Sequence, residues 1–193
     1  MLSSDFVDHH KRVRIGAAVG RLVCERGLQN LSVGGITSAA KMARSTFYTL
    51  FENRDDAVIY AIGRGNQRLR SAIDFAVMAA GSREERVRRV VEAVVETAET
   101  EPHLVELSLV HACGITGTAV PFDPDLVQSL AGVLRPLRSG RKGRLPGPRT
   151  EELVAYSILG VIANRLSRRG PESLAPVARE LADLTALYFT EEG

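Results

Sequence analysis

The stretch LSVGGITSAAKMARSTFYTLFENRDD, residues 31–56, decides the fold. Its apolar residues recur at three and four, a helical spacing. They predict two short helices, about Val33–Ala40 and about Arg44–Phe51, separated by a turn of about three residues. Helices this short are not stable alone, because nucleation costs more than a few hydrogen bonds return. A third element must clamp them. Upstream, Ile15, Ala18, Val19 and Leu22 form one stripe on a predicted helix from about His10 to Arg26, which Gly27 stops. Ile36, Ala40, Phe47, Leu50 and Phe51 can pack against Val19, Leu22 and Val23.

The residues outside that packing suit an anionic partner. Ser32 can cap the second helix and also donate to a phosphate. Arg44, Ser45 and Thr49 can project from the third helix toward base edges. Thr46 and Tyr48 carry hydroxyls suited to phosphates, and Arg54 is a further phosphate candidate. In three-helix layouts of this kind the last short helix enters a major groove. A helical hairpin that binds nothing would show the same apolar spacing.

Residues 15–57 resemble the N-terminal domain of the tetracycline-repressor (TetR) family. The resemblance rests on Gly27, Ser32-Val33, Ile36-Thr37, Ala40-Lys41-Met42-Ala43, Phe47-Tyr48-Thr49-Leu50-Phe51 and Arg54. It implies a DNA-binding transcriptional regulator, a repressor released from a palindromic operator by a small-molecule effector. Three departures bear on the site. The family's turn glycine is Lys41, whose ammonium can reach a phosphate. The usual serine cap of the recognition helix is Ala43. Gly34-Gly35 opens the second helix, and Gly34 offers no side chain where some members read a base.

Further along, the chain of 193 residues reads as all-α, with about nine helices and no sheet. Helices are expected from Arg54 to about Ala80, from a capping box at Ser82 and Glu85 to about Thr100, and from Pro102 to about Gly114. Others are expected from Asp125 to about Leu137, from a Thr150 cap to about Arg168, and from Leu174 to about Thr190. Residues 139–148, SGRKGRLPGP, read as a loop, more naturally a solvated one than a nucleic-acid contact. We divide the chain into a helix-turn-helix domain, 1–54, and a helical effector-binding and dimerisation domain, 55–193. The first carries 8 Lys/Arg and 4 Asp/Glu and the remainder 17 and 19, so a +4 head sits on a −2 body.

The last two helices show more apolar residues than one buried stripe needs. Val177, Leu181, Leu184 and Tyr188 form one line, and Ala178, Ala182 and Phe189 another. The helix before has Val154, Ile158, Val161 and Ile162, with Tyr156, Gly160 and Ala163 on other faces. A second copy of the chain would cover the surplus, and in the TetR family these helices pair as a four-helix bundle. The family's pocket lies among the middle helices, so Phe75, Met78, His103 and His111 are candidate effector contacts, although each also reads as an ordinary core residue.

Other functions find little support. Ser38 and Lys41 formally match Ser-x-x-Lys, without the companion motifs of the enzymes that use it. There is no phosphate-binding loop and no His/Cys set at zinc spacing, so no catalysis, cofactor or metal is expected. Cys24 and Cys113 read as reduced, packed thiols, and His9-His10 as part of a mobile start. No secretory segment is apparent and no apolar run nears the roughly 18 residues of a membrane span, which points to the cytoplasm. A helical interaction protein of the same fold that has lost specific DNA binding is the alternative.

Overall fold

The computed structural model describes residues 4–117, 120–136, 147 and 149–189, with the side chains of residues 83, 84, 173 and 186–189 outside the description. Among the described residues there is no strand. Nine helices follow in order: α1 (Ser4–Arg26), α2 (Val33–Ala39), α3 (Arg44–Leu50), α4 (Arg54–Ala79), α5 (Arg83–Thr100), α6 (residues 102–116), α7 (Pro124–Leu134), α8 (Thr150–Arg169) and α9 (Ala175–Phe189). The middle of α6, Leu107–His111, is a π turn between α-helical ends.

Local chemistry sets most boundaries. Gly27, at φ 77, ends α1. Ser82 Oγ accepts from Glu85 N–H at 3.1 Å, and the Glu85 carboxylate reaches back to Gly81 N–H at 3.0 Å, one residue before the usual partner of a capping box. The Glu85 carboxyl is held below its usual range, first by its bond to Arg89 and then by Gly81 N–H. Asp123 caps α7 by accepting from Leu126 N–H at 2.9 Å, with Pro124 in the first turn, so α7 starts just ahead of the expected Asp125.

Two expectations need correction. Helix α1 starts at Ser4, not near His10: no Gly or Pro interrupts its first turns, and Asp8 pairs with Lys11 at 2.8 Å. His9 and His10 are therefore exposed residues within a helix. Thr150 does not cap α8. Arg149 precedes the helix without a side-chain cap bond, and Thr150 is its buried first residue. The loop expected at 139–148 lies outside the described residues except for Gly147 and Arg149 beside it, as do the side chains of Tyr188 and Phe189.

Apolar residues collect in two cores. The first joins α1, α2, α3 and the start of α4, up to Ile62, with Leu104 and Leu107 of α6. The second takes the rest of α4 from Leu69, with α5, α7, α8, α9 and Val105 and Leu109 of α6. Helix α4 runs through both, and α6 lies across the junction. Two glycines let α6 approach. A Cβ at Gly20 would come 3.1 Å from the His103 carbonyl oxygen, and one at Gly65 would collide with Ser108 Oγ. Ser108 instead places its hydroxyl 3.0 Å from the carbonyls of Ile62 and Leu104, tying α6 to α4.

Candidate nucleic-acid interface

The packing of the first three helices follows the apolar pattern. Ile36, Ala40, Phe47, Leu50 and Phe51 are buried with Val19, Leu22 and Val23. The Arg12 guanidinium lies 4.8 Å over the Phe51 ring, closing one edge. Ser32 caps α2, its Oγ accepting from Gly35 N–H at 3.1 Å.

The turn between α2 and α3 is a Schellman motif. Met42 N–H reaches the Thr37 carbonyl at 2.9 Å and Lys41 N–H the Ser38 carbonyl at 3.1 Å. Lys41 thus occupies the left-handed position that glycine usually fills, and at φ 52 it is the one non-glycine residue with positive φ among those described. A side chain there costs roughly 1–2 kcal/mol. Arg14 of α1 offsets part of this, donating to the Ala40 carbonyl at 2.6 Å with the Lys41 carbonyl at 3.4 Å. Lys41 lies past the end of α2, so Ser38 and Lys41 do not share the helix face that a Ser-x-x-Lys pair needs.

Helix α3 begins at Arg44 after Ala43, which makes no side-chain cap bond. With Phe47 and Leu50 turned inward, α3 leaves Arg44, Ser45, Tyr48 and Thr49 exposed and Thr46 half-buried. Thr49 donates to the Thr46 carbonyl at 2.8 Å and keeps its lone pairs outward. Lys41 is exposed beside this row. Arg54 stands apart from it: its Nε meets Asp55 at 2.8 Å and its Nη1 the Leu31 carbonyl at 3.3 Å. It staples the start of α4 to Leu31, the residue before the Ser32 cap of α2, with part of its charge already balanced.

Gly34 has a further role. A Cβ on it would lie 2.7 Å from Arg44 Nη2, so the Arg44 guanidinium rests over the bare backbone of α2. Neither this seat nor the Arg14 clamp is legible in local sequence, since each joins residues of different helices.

The four effector candidates are not brought together. Phe75 and Met78 are 72% and 78% exposed on the outer face of α4, and Ile73 and Ala76 turn inward instead. His103 is exposed on a groove between α1 and the end of α2, beside Arg14 and Lys41. His111 is half-buried and meets Cys24 of α1 and Glu106. Burial pushes the Cys24 thiol up to about 12, and the Glu106 carboxylate adds to this as a neighbouring charge and hydrogen-bond partner. A cleft of about 170 Å³ does open between α4, α6 and the segment before α7, lined by Asn66, Ala112, Thr116, Val120 and Phe122. Asn66 is 5% exposed, and its Oδ1 has no hydrogen-bond partner among the described residues.

No family model matches the chain, and no curated protein matches its sequence. Solved structures do match its fold. PfmR, a TetR family transcriptional regulator from Thermus thermophilus, is 19% identical over 93% of this chain and 97% of its own, with a TM-score of 0.68. The fatty acid degradation regulator FadR from Bacillus halodurans is 18% identical over 91% and 94%, with a TM-score of 0.74. FadR from Bacillus subtilis, a transcriptional regulator solved in complex with stearoyl-CoA, is 16% identical over 91% and 97%, with a TM-score of 0.68. The chain therefore has the fold of TetR-type regulators.

Proposed function

We propose that this protein is a DNA-binding transcriptional regulator, a homodimeric repressor that leaves its operator when a small molecule binds. The carrying observation is the outer face of α3. It presents Arg44, Ser45, Tyr48 and Thr49 to solvent over a buried Phe47 and Leu50, with Lys41 alongside. Lys41, Arg44, Ser45 and Tyr48 can donate to phosphates or base edges, Thr49 can accept from a base edge, and none is acidic.

A dimer supplies the second half of an operator, placing two α3 helices roughly 34–36 Å apart. Leu153 and Leu184, on the last two helices, are 65% and 63% exposed in the single chain. Also on α8, a Cβ at Gly160 would meet nothing within 4 Å, which leaves room for a partner's close approach.

The cleft around Asn66 supports the effector half. It adjoins α4, the helix that runs from the first core into the second, so a molecule there that favours one placement of α4 shifts the DNA-bound population. Its volume, about 170 Å³, equals about five or six waters. A compact molecule with a donor for Asn66 Oδ1 fits it better than the long acyl chain of the stearoyl-CoA seen with the Bacillus subtilis neighbour.

The test is selection of bound duplexes from a random pool by the full chain. A two-fold symmetric motif whose binding falls steeply with salt is the expected result. Recovery of no enriched sequence at low salt overturns the reading in favour of a helical interaction protein of the same fold.

A further inference from the structure

Cys24 of α1 and Glu106 and His111 of α6 are distant in sequence and converge at the junction of the two cores. Their donor atoms (a sulfur, a carboxylate oxygen and an imidazole nitrogen) all lie within 4.8 Å of one another, and all three side chains are half-buried. It is the one such group of His, Cys, Asp and Glu among the described residues.

The fold builds this meeting in two steps. Gly20 lets α1 close onto the first turn of α6, and Cys24 lies one helical turn further along the same face. On α6, Glu106 and His111 are five residues apart. In an unbroken α-helix that spacing turns His111 about 140° away from Glu106. The π turn Leu107–His111 takes up the additional residue and returns His111 to the face of Glu106. Turns of this kind recur at functional sites. Glu106 has no Lys or Arg in ion-pair contact among the described residues, so its charge faces a thiol and an imidazole without a cation.

We propose that Cys24, Glu106 and His111 bind a divalent cation of the zinc type, cross-linking α1 to α6. A thiolate, an imidazole and a carboxylate form a mixed soft and borderline donor set that suits zinc, whereas magnesium and calcium take oxygen ligands. Three protein ligands leave a fourth tetrahedral position for water. Zinc bonds of about 2.0–2.3 Å set ligand separations of about 3.3–3.8 Å, so side-chain rotations that draw the donors in by about 1 Å complete the site. On binding, the Cys24 S–H bond breaks, its proton leaves to solvent and a sulfur–metal bond forms. No electron is transferred. The site stands whether or not the chain binds DNA.

The experiment uses the full chain, stripped with a chelator and titrated with Zn²⁺ alone, and in parallel with Co²⁺. One Zn²⁺ per chain is expected, with a rise in Tm of roughly 5–10 °C at a hundredfold excess over Kd. The Co²⁺ form should show a thiolate-to-metal charge-transfer band. Cys24→Ser should abolish the band, and His111→Gln or Glu106→Gln should each weaken binding by more than the about 10–100-fold of an outer-shell change. Cys113→Ser should leave both unchanged. Far-UV circular dichroism of each metal-free variant reports its fold, and a variant that fails to fold is replaced by Cys24→Ala or His111→Asn. Absence of saturable binding overturns the proposal. So does a band that persists in Cys24→Ser, and so does binding lost only in His9→Ala/His10→Ala, which puts the metal on the exposed pair in α1.

Discussion

The Arg14 guanidinium donates to the carbonyl oxygen of Ala40 at 2.6 Å, joining α1 to the last residue before the turn that orients α3. The contact meets α2 at its C-terminus, where carbonyls lack intrahelical partners and a positive charge is favourable. It holds in place the two features that make this turn weak, a lysine in the left-handed position and a following helix, α3, without a side-chain cap.

Replacing Arg14 by Ala is expected to lower stability by about 1 kcal/mol, below the about 1.5–3 kcal/mol of a hydrogen bond to a charged group because the pair is partly exposed. Affinity for specific and scrambled duplexes should fall by a similar factor, since Arg14 sets the turn and reads no base. Denaturant melts and paired DNA titrations check this. A loss confined to the specific duplex shows that Arg14 touches bases.

Lys41→Gly separates stability from binding. Glycine removes the roughly 1–2 kcal/mol of left-handed strain and loses about 0.5–1 kcal/mol to its freer unfolded chain. The net expectation is a gain of up to about 1.5 kcal/mol, or up to roughly 3–6 °C in Tm. If the Lys41 ammonium reaches a phosphate, the same change flattens the salt dependence of DNA binding by about one unit. An unchanged slope removes Lys41 from the contacts.

What local sequence carried, and what it did not, follows from the range of the interactions. The cap at Ser32, the missing cap at Ala43 and the strained turn at Lys41 depend on residues within a few positions, and the pattern shows them. The outward placement of Phe75 and Met78 lies beyond local sequence for a different reason. Helix α4 carries apolar residues on two faces, and only the packing of α5 decides that Ile73 and Ala76 turn inward. Which face of α6 carries His111 would follow from 3.6 residues per turn in an unbroken helix, and the π turn at Leu107–His111 breaks that regularity. Cys24, Glu106 and His111 show no metal-like spacing because the crossing of α1 and α6 assembles them, not the chain.

Leu184 offers a clean test of dimerisation. It is 63% exposed in the single chain, so Leu184→Glu places a charge in water there and leaves the monomer fold intact. In a dimer through α8 and α9 the same carboxylate is buried without a partner. Sedimentation should therefore show a dimer for the wild type and a folded monomer for Leu184→Glu, with Leu153→Glu behaving alike. A monomeric wild type at micromolar concentration rules out the arrangement, and dimeric variants move the interface away from these two residues.

Arg44 and Gly34 make the sharpest prediction about specificity. Arg44 is exposed at the start of α3, the end that points into the groove in this motif, and its guanidinium rests over Gly34. Paired with guanine O6 and N7 it supplies about 1–3 kcal/mol of discrimination. Arg44→Ala should narrow the gap between operator and scrambled duplex by that amount, beyond the uniform loss of one charge. Arg44→Lys keeps the charge and loses the two-pronged geometry, so scrambled DNA should bind nearly as before while the operator weakens. Gly34→Ala is the informative third variant. Its Cβ meets only the mobile end of Arg44, so the fold survives and α2 gains about 0.5–1 kcal/mol of helix preference. The guanidinium loses its seat, and operator preference should fall without any change of charge. Titrations of all three on both duplexes at one salt concentration decide the matter. Equal losses on both sequences in Arg44→Ala make Arg44 a phosphate contact and pass the reading of bases to Ser45 and Thr49. Full operator preference in Gly34→Ala shows that the seat does not guide the arginine.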